Sequence, residues 1–130
     1  MVNDRVGDFI IRLQNAARVG KRTVTAPYSA HLAAIAAKLR ALGFLADVGV
    51  EGDAKKKLAV ALAYDAAGRA RLRGVKRMSK PGRRLYAPAA AAHRVKGGTG
   101  ARILSTSGGS LTDAEARKNR VGGEDLFEIW

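Results

Sequence analysis

Between Asn3 and Val19 the apolar residues Val6, Phe9, Ile10, Leu13 and Ala17 recur every three to four positions, which predicts a helix with one buried face. Asn3 or Asp4 can cap its start, and Gly20 ends it. Thr23–Ala26 reads as a short strand running into Pro27. Ser29 then stands as the cap of a second helix, with Leu32, Ile35, Ala36, Leu39 and Leu42 inward and Gly43 as the stop. Phe44–Val50 alternates loosely as a strand, a polar turn runs from Gly52-Asp53 to Lys57, and Leu58–Tyr64 returns as a second strand. The first half is therefore helix, strand, helix, hairpin.

The second half follows a different pattern. Asp65-Ala66-Ala67-Gly68 is a turn, and Arg69–Arg84 alternates imperfectly, with Leu72, Val75 and Met78 among basic residues. Lys80-Pro81-Gly82 is a strong turn signal, and Arg83–Ala87 reads as a short strand carrying Tyr86. Ala89–His93 is a candidate short helix, broken by Gly97, Gly98 and Gly100. Arg102–Ser105 reads as a strand entering a Ser/Thr/Gly loop, Thr112 or Asp113 caps a helix through Lys118, and Glu124–Trp130 is a final strand. The expected fold class is α+β with two small subdomains. Residues 1–68 form an N-terminal α/β subdomain and residues 69–130 a C-terminal β-rich one, with the seam at Asp65–Gly74.

Composition narrows the class of function. The 130 residues suit one compact domain or two small subdomains, and 47% apolar residues suffice for a core, much of it alanine. With 24 Lys+Arg against 11 Asp+Glu, the net charge is +13. A surface that basic points to a polyanion, nucleic acid ahead of an anionic membrane. Absence of cysteine excludes disulfides and thiolate metal sites. His31 and His93 are far apart and form no HExxH motif. The longest apolar run, Leu58–Tyr64, falls far short of the roughly 20 residues a membrane helix needs, and the N-terminus lacks a signal-peptide pattern. A soluble intracellular protein with no metal, cofactor or membrane partner is expected.

The chemistry concentrates in the second half. Arg69–Arg84 holds eight basic residues and no acidic one, so its charge is not neutralised locally. Arginine and lysine there, notably Arg77, Lys80, Arg83 and Arg84, suit phosphate oxygens, although such a run can also be a plain solvated face. Tyr86, just beyond it, is placed either to stack on an unpaired base or to pack in the core. Ser105-Thr106-Ser107-Gly108-Gly109-Ser110 reads first as a turn. Its small hydroxyls can also approach a groove and bond 2′-hydroxyls and phosphates. In Gly122-Gly123-Glu124 the glycines permit close approach, and the carboxylate can accept from a base amino group or order a neighbouring loop.

Catalytic motifs fail. A phosphate loop at Gly20-Lys21 has Asn15 where its first glycine belongs and Arg22 where Ser or Thr belongs. Gly98-Thr99-Gly100 lacks a third glycine, and the nucleophile-elbow pattern around Ser110 breaks at Thr112. No catalytic residue is assigned. A DNA reader would need a recognition helix, and these helices expose few base-reading side chains.

Arg77-Met78-Ser79-Lys80-Pro81-Gly82-Arg83-Arg84-Leu85-Tyr86 resembles a signature of the bacterial small-subunit ribosomal protein S8 family. Leu104–Asp113 is similar to that family's Ser-Thr-Ser stretch, and Ala116-Arg117 and Val121-Gly122-Gly123-Glu124 follow in order. Asp8, Arg12 and Asn15 on the first helix, Pro27 and Ser29 before the second, Gly43-Phe44 after it and Val50-Glu51-Gly52-Asp53 at the hairpin extend the likeness over the whole chain. The chain departs from the pattern at Gly108, where lysine is frequent, at Ile11, which replaces a hydroxyl residue, and at Gln14 and His31, which replace an arginine and a common lysine and so thin the positive charge.

The resemblance implies a non-catalytic constituent of the ribosome that binds the central domain of small-subunit rRNA, at a helix with an irregular internal loop, and helps assemble that region. It implies neighbouring small-subunit ribosomal proteins as partners and a cytoplasmic place in the subunit. Some members also repress their own operon through a similar structure in messenger RNA. Carried over, the family's contacts fall on Tyr86, on Ser105, Thr106 and Ser107, and on Gly122, Gly123 and Glu124. Arg77, Ser79, Lys80, Arg83 and Arg84, with Arg12 and Lys55 from the first half, complete the expected RNA-binding set.

Overall fold

A computed structural model of the chain describes residues 4–80, 82–87, 100–107 and 109–130. By contact these fall into two units: Asp8–Arg73, and Gly74–Trp130 with the described residues of Met1–Gly7.

Helix α1 (Arg5–Val19), which lies in the first unit from Asp8 onward, buries Phe9, Ile10 and Leu13 of the expected stripe, while Val6 and Ala17 are half-buried and Ala16 is buried in addition. Asp4 supplies the cap, its carboxylate accepting from the Gly7 amide at 3.1 Å, while Asn3 lies outside the described residues. Helix α2 (Ala30–Ala41) starts where the Ser29 hydroxyl accepts from the Leu32 amide. It stops at Gly43, whose φ of +92° suits glycine best. Strands β1 (Thr23–Pro27), β2 (Leu45–Glu51) and β3 (Lys57–Leu62) form an antiparallel sheet in the order β1-β3-β2. Central β3 alternates, with Leu58, Val60 and Leu62 buried on the core side beside Leu32, Ile35 and Leu39 of α2. The sequence extends this strand to Tyr64, but pairing stops at Leu62. Beyond it the Asp65 carboxylate accepts from the Ala67 and Arg69 amides, both at 2.9 Å, and turns the chain back so that Tyr64 bridges Ala70.

The second unit holds β4 (Val75–Arg77), β5 (Tyr86–Ala87), β6 (Ala101–Thr106), β7 (Gly109–Thr112), α3 (Asp113–Asn119) and β8 (Gly123–Ile129). Its sheet is antiparallel and centred on β8. Strand β6 pairs along one side, and β4 and β5 pair end to end along the other. Ile103, Leu104, Leu126, Phe127 and Ile129 are buried here. The sequence reading assigns no strand to Val75–Arg77, where the structure has β4, and differs from the structure at two further places. Of the strand expected over Arg83–Ala87, only Tyr86–Ala87 pairs with β8, because Lys80 and Arg83 exchange backbone hydrogen bonds at 2.9 Å and close the turn before it. The stretch expected as a loop after Ser105 is a β-hairpin: β6 runs through Thr106, β7 begins at Gly109, and the Thr106 hydroxyl donates to the Gly109 carbonyl at 2.8 Å. The short helix expected at Ala89–His93 lies outside the described residues.

Helix α3 carries a complete capping box. Thr112 Oγ1 accepts from the Glu115 amide, and the Glu115 carboxylate accepts from the Thr112 amide. Arg120 ends the helix at φ 54°, a left-handed conformation unusual for a residue with a Cβ.

Candidate nucleic-acid interface

Three segments far apart in sequence meet in one row of the second sheet. Tyr86 on β5 pairs with Glu124 on β8, Glu124 pairs with Ser105 on β6, and Ser105 pairs with Ser110 on β7. Directly paired residues of antiparallel strands project to the same face, so Tyr86, Glu124, Ser105 and Ser110 share one. Tyr86 is 73% exposed, an unusual position for a tyrosine, and among the described residues no ring or cation contact is made with it. Thr106 and the exposed Ser107 continue past Ser105 into the hairpin tip. Exposed Gly122 leads into the start of β8.

Gly123 fits where no other residue would. A Cβ built on it would overlap the backbone carbonyl of Ser105 and come 2.8 Å from Thr106 Cγ2. The glycine is what lets β8 approach the hydroxyl run of β6.

Glu124 organises the opposite side of the row. Its carboxylate accepts from the Ser79 hydroxyl at 2.5 Å and from Arg84 Nη1 at 2.9 Å. The Ser79 hydroxyl in turn accepts from the Leu85 amide at 3.3 Å. Backbone bonds from Ser79 to the Asp125 carbonyl and from the Asp125 amide to the Leu85 carbonyl pin the same strap to β8. Of the two roles open to this glutamate, the loop-ordering one is the one its contacts fill.

The remaining expected residues separate by environment. Ser79 is 3% exposed and faces Glu124, so its hydroxyl orders the strap. Arg77 forks onto the Asp4 carboxylate and donates from Nε to the Ser79 carbonyl at 2.8 Å. The Arg77 hydrogen bond is the main reason the Asp4 carboxyl is held below its ordinary pKa, against a smaller opposing effect of burial. Lys80 and Arg83 are exposed at the turn, and Arg84 is half-exposed beside Tyr86. Arg12 and Lys55 belong to the first unit and are not part of the row. Arg12 pairs with Asp8 at 2.9 Å and donates to the Thr25 carbonyl, and Lys55 is exposed in the β2–β3 turn.

Arg102 had no place in the expectation. It is buried in the sheet, with Nη2 2.6 Å from Glu128 and Nη1 3.4 Å from Asp125, while its amide donates to Asp113. The sequence carries a signal for it, since β8 alternates acidic Glu124, Asp125 and Glu128 among apolar residues and needs a buried cation. Arg120 was also missed. It is an exposed cation two residues before Gly122, marked in the sequence only by the lack of glycine where α3 must end.

Among the described residues no cluster of acidic, histidine or cysteine side chains is arranged to hold a metal ion, and no helix is long and apolar enough to cross a membrane. The chain is α+β, and its second unit brings an exposed tyrosine, a run of hydroxyls and exposed cations to one sheet. The family model "Ribosomal protein S8" matches residues 4–130, and the chain belongs to that family of structural, non-enzymatic ribosomal proteins. The small ribosomal subunit protein uS8 of Thermosynechococcus vestitus is 43% identical over 99% of this chain and 98% of its own length. The protein of the same name from Chloroflexus aggregans is 44% identical over the same shares, and that from Sorangium cellulosum 40% over the whole of both chains.

Proposed function

We propose that the chain is a structural constituent of the small ribosomal subunit in the cytoplasm. It binds the central domain of small-subunit rRNA directly, contacts neighbouring ribosomal proteins and helps assemble that region. The observation that carries this reading is the row Tyr86–Glu124–Ser105, extended by Thr106 and Ser107. Small hydroxyls can enter the wide, shallow minor groove of A-form RNA and bond its 2′-hydroxyls, and an exposed tyrosine can stack on a base that an irregular loop releases. Exposed Gly122 leaves the entry to β8 accessible and Gly123 lets β8 lie close against the hydroxyl run, while Lys80, Arg83 and Arg84 supply affinity that does not depend on sequence. Arg77, Ser79 and Glu124 hold the strap that presents Tyr86 and Arg84. A messenger RNA folded into the same looped helix would meet the same row, which is how the chain would repress its own operon.

The test is binding to two RNAs at near-physiological salt. One is the central-domain helix with its internal loop, and the other is the same helix with the loop converted to regular pairs. A preference of about a hundredfold for the looped RNA, roughly 2.7 kcal/mol, is expected. Equal binding would overturn the reading.

A further inference from the structure

The first half of the basic run has no part in the row on the second unit: Arg69, Arg71 and Arg73 belong to the first. Arg69 and Arg73 line a cleft of about 510 Å³ between the C-terminal turn of α1 and the segment Tyr64–Arg73. Arg18 on α1 lines it as well, with Gln14, Gly20 and Tyr64. We propose that this cleft is a second RNA site that takes backbone phosphate from a segment of rRNA distinct from the looped helix. The proposal rests on the reading that the chain binds rRNA.

The electrostatics favour an anion. All three arginines are exposed. Among the described residues neither Arg18 nor Arg69 forms an ion pair within 4 Å of a carboxylate, Arg73 has only a loose one with Asp65 at 3.9 Å, and the same Asp65 acts on Arg69 through charge alone. Asp65 directs its other oxygen to the Ala67 and Arg69 amides of its own turn. The cleft is therefore left with three guanidinium groups against one carboxylate already engaged. A fourth arginine near the turn, Arg22, lies 5.5 Å over the Tyr64 ring, whose hydroxyl is fixed by donating to the Lys21 carbonyl at 2.7 Å. The carbonyl end of α1 opposes an anion, but its last turn is partly closed by the Gly20 and Lys21 amides bonding to the Ala17 and Ala16 carbonyls. Planar guanidinium forks match phosphate oxygens, and exposed arginines without acidic partners release counterions when they meet a nucleic-acid backbone. Gly20 and Gly68 at the rim carry no side chain to obstruct the strand.

The experiment compares the full chain with Arg69→Gln/Arg73→Gln and, separately, Arg18→Gln. Each is titrated with the minimal looped helix and with a longer central-domain fragment over a series of salt concentrations. The double variant should bind the minimal helix within about twofold of wild type. It should bind the longer fragment about tenfold more weakly, with a salt dependence flatter by about one to two counterions. Arg18→Gln, on a different element, should repeat the pattern at smaller size, which keeps the test valid if the double variant folds poorly. Unchanged binding of the longer fragment by both variants overturns the cleft as an RNA site and leaves the row untouched. Equal losses on both RNAs also overturn it, because the arginines would then act only through general charge. Loss of the longer fragment's advantage on adding inorganic phosphate at matched ionic strength would assign the cleft to free phosphate instead. Failure of wild type to prefer the looped helix would remove the row reading alone, since the cleft is read from the longer fragment.

Discussion

At Gly123 a single missing Cβ decides how closely two strands meet. An added methyl collides with the Ser105 carbonyl, which is backbone and cannot swing aside. Gly123→Ala should therefore open the β6–β8 pairing, cost about 1–3 kcal/mol in denaturant unfolding, and weaken binding of the looped RNA. The neighbouring side chains divide into two kinds. Ser107 is exposed at the hairpin tip, whereas Arg84 is a half-exposed cation steadied by Glu124. Ser107→Ala should leave stability within about 0.5 kcal/mol and weaken the looped RNA more than a scrambled helix. Arg84→Ala should weaken both RNAs about equally and flatten the salt dependence. Parallel anisotropy titrations of both variants against both RNAs decide this, and equal losses everywhere would remove the division of labour.

Among the elements, the start of α1 is electrostatically conditioned. Asp4 caps the helix and receives the Arg77 guanidinium from the end of β4, and both contacts favour its ionised form. Its pKa is lower folded than unfolded, so its contribution is complete above the ordinary carboxylate value of about 3.9 and is lost as pH falls through the lower folded value. In unfolding measured from pH 7 down to pH 2, the gap between wild type and Asp4→Asn should stay constant to about pH 5 and close below about pH 4. A gap that widened on acidification would reverse the assignment. Elements whose cause is local were legible in the sequence: the Ser29 and Thr112 caps, the Gly43 stop and the apolar stripe of α1 each depend on residues within a turn or two. What was not legible depends on partners distant in the chain. The hydroxyl run looked like a loop because serine, threonine and glycine favour turns, yet pairing with β7 and β8 makes most of it strand. Ser79 looked like a contact residue within a basic run, and only the fold brings it to Glu124, 45 positions later. Arg102 likewise becomes a buried cation only once β8 lies beside β6.

Across the whole molecule the charge of +13 overstates what meets RNA, because several cations are held internally. Arg77 is held by Asp4, Arg102 by Asp125 and Glu128 and Arg117 by Asp113, while the more exposed Arg12 and Arg84 pair with Asp8 and Glu124. Beside the row, Lys80, Arg83 and Arg84 remain exposed. Each phosphate neutralised in a duplex contributes roughly 0.9 to the slope of log affinity against log salt. The slope for the minimal looped helix should then be about −3, far smaller than a net charge of +13 suggests. Lys80→Gln/Arg83→Gln/Arg84→Gln should remove most of it. Hydrogen bonds from Ser105, Thr106 and Ser107 and stacking on Tyr86 release no counterions. The ratio of looped to regular RNA affinity should accordingly stay constant as salt rises, while both absolute affinities fall together. Titrations of the two RNAs over a fourfold salt range measure this directly. A ratio that collapsed with salt would mean that charge, rather than the hydroxyl row, discriminates between RNAs, and the specificity would have to be sought in the arginines of the strap.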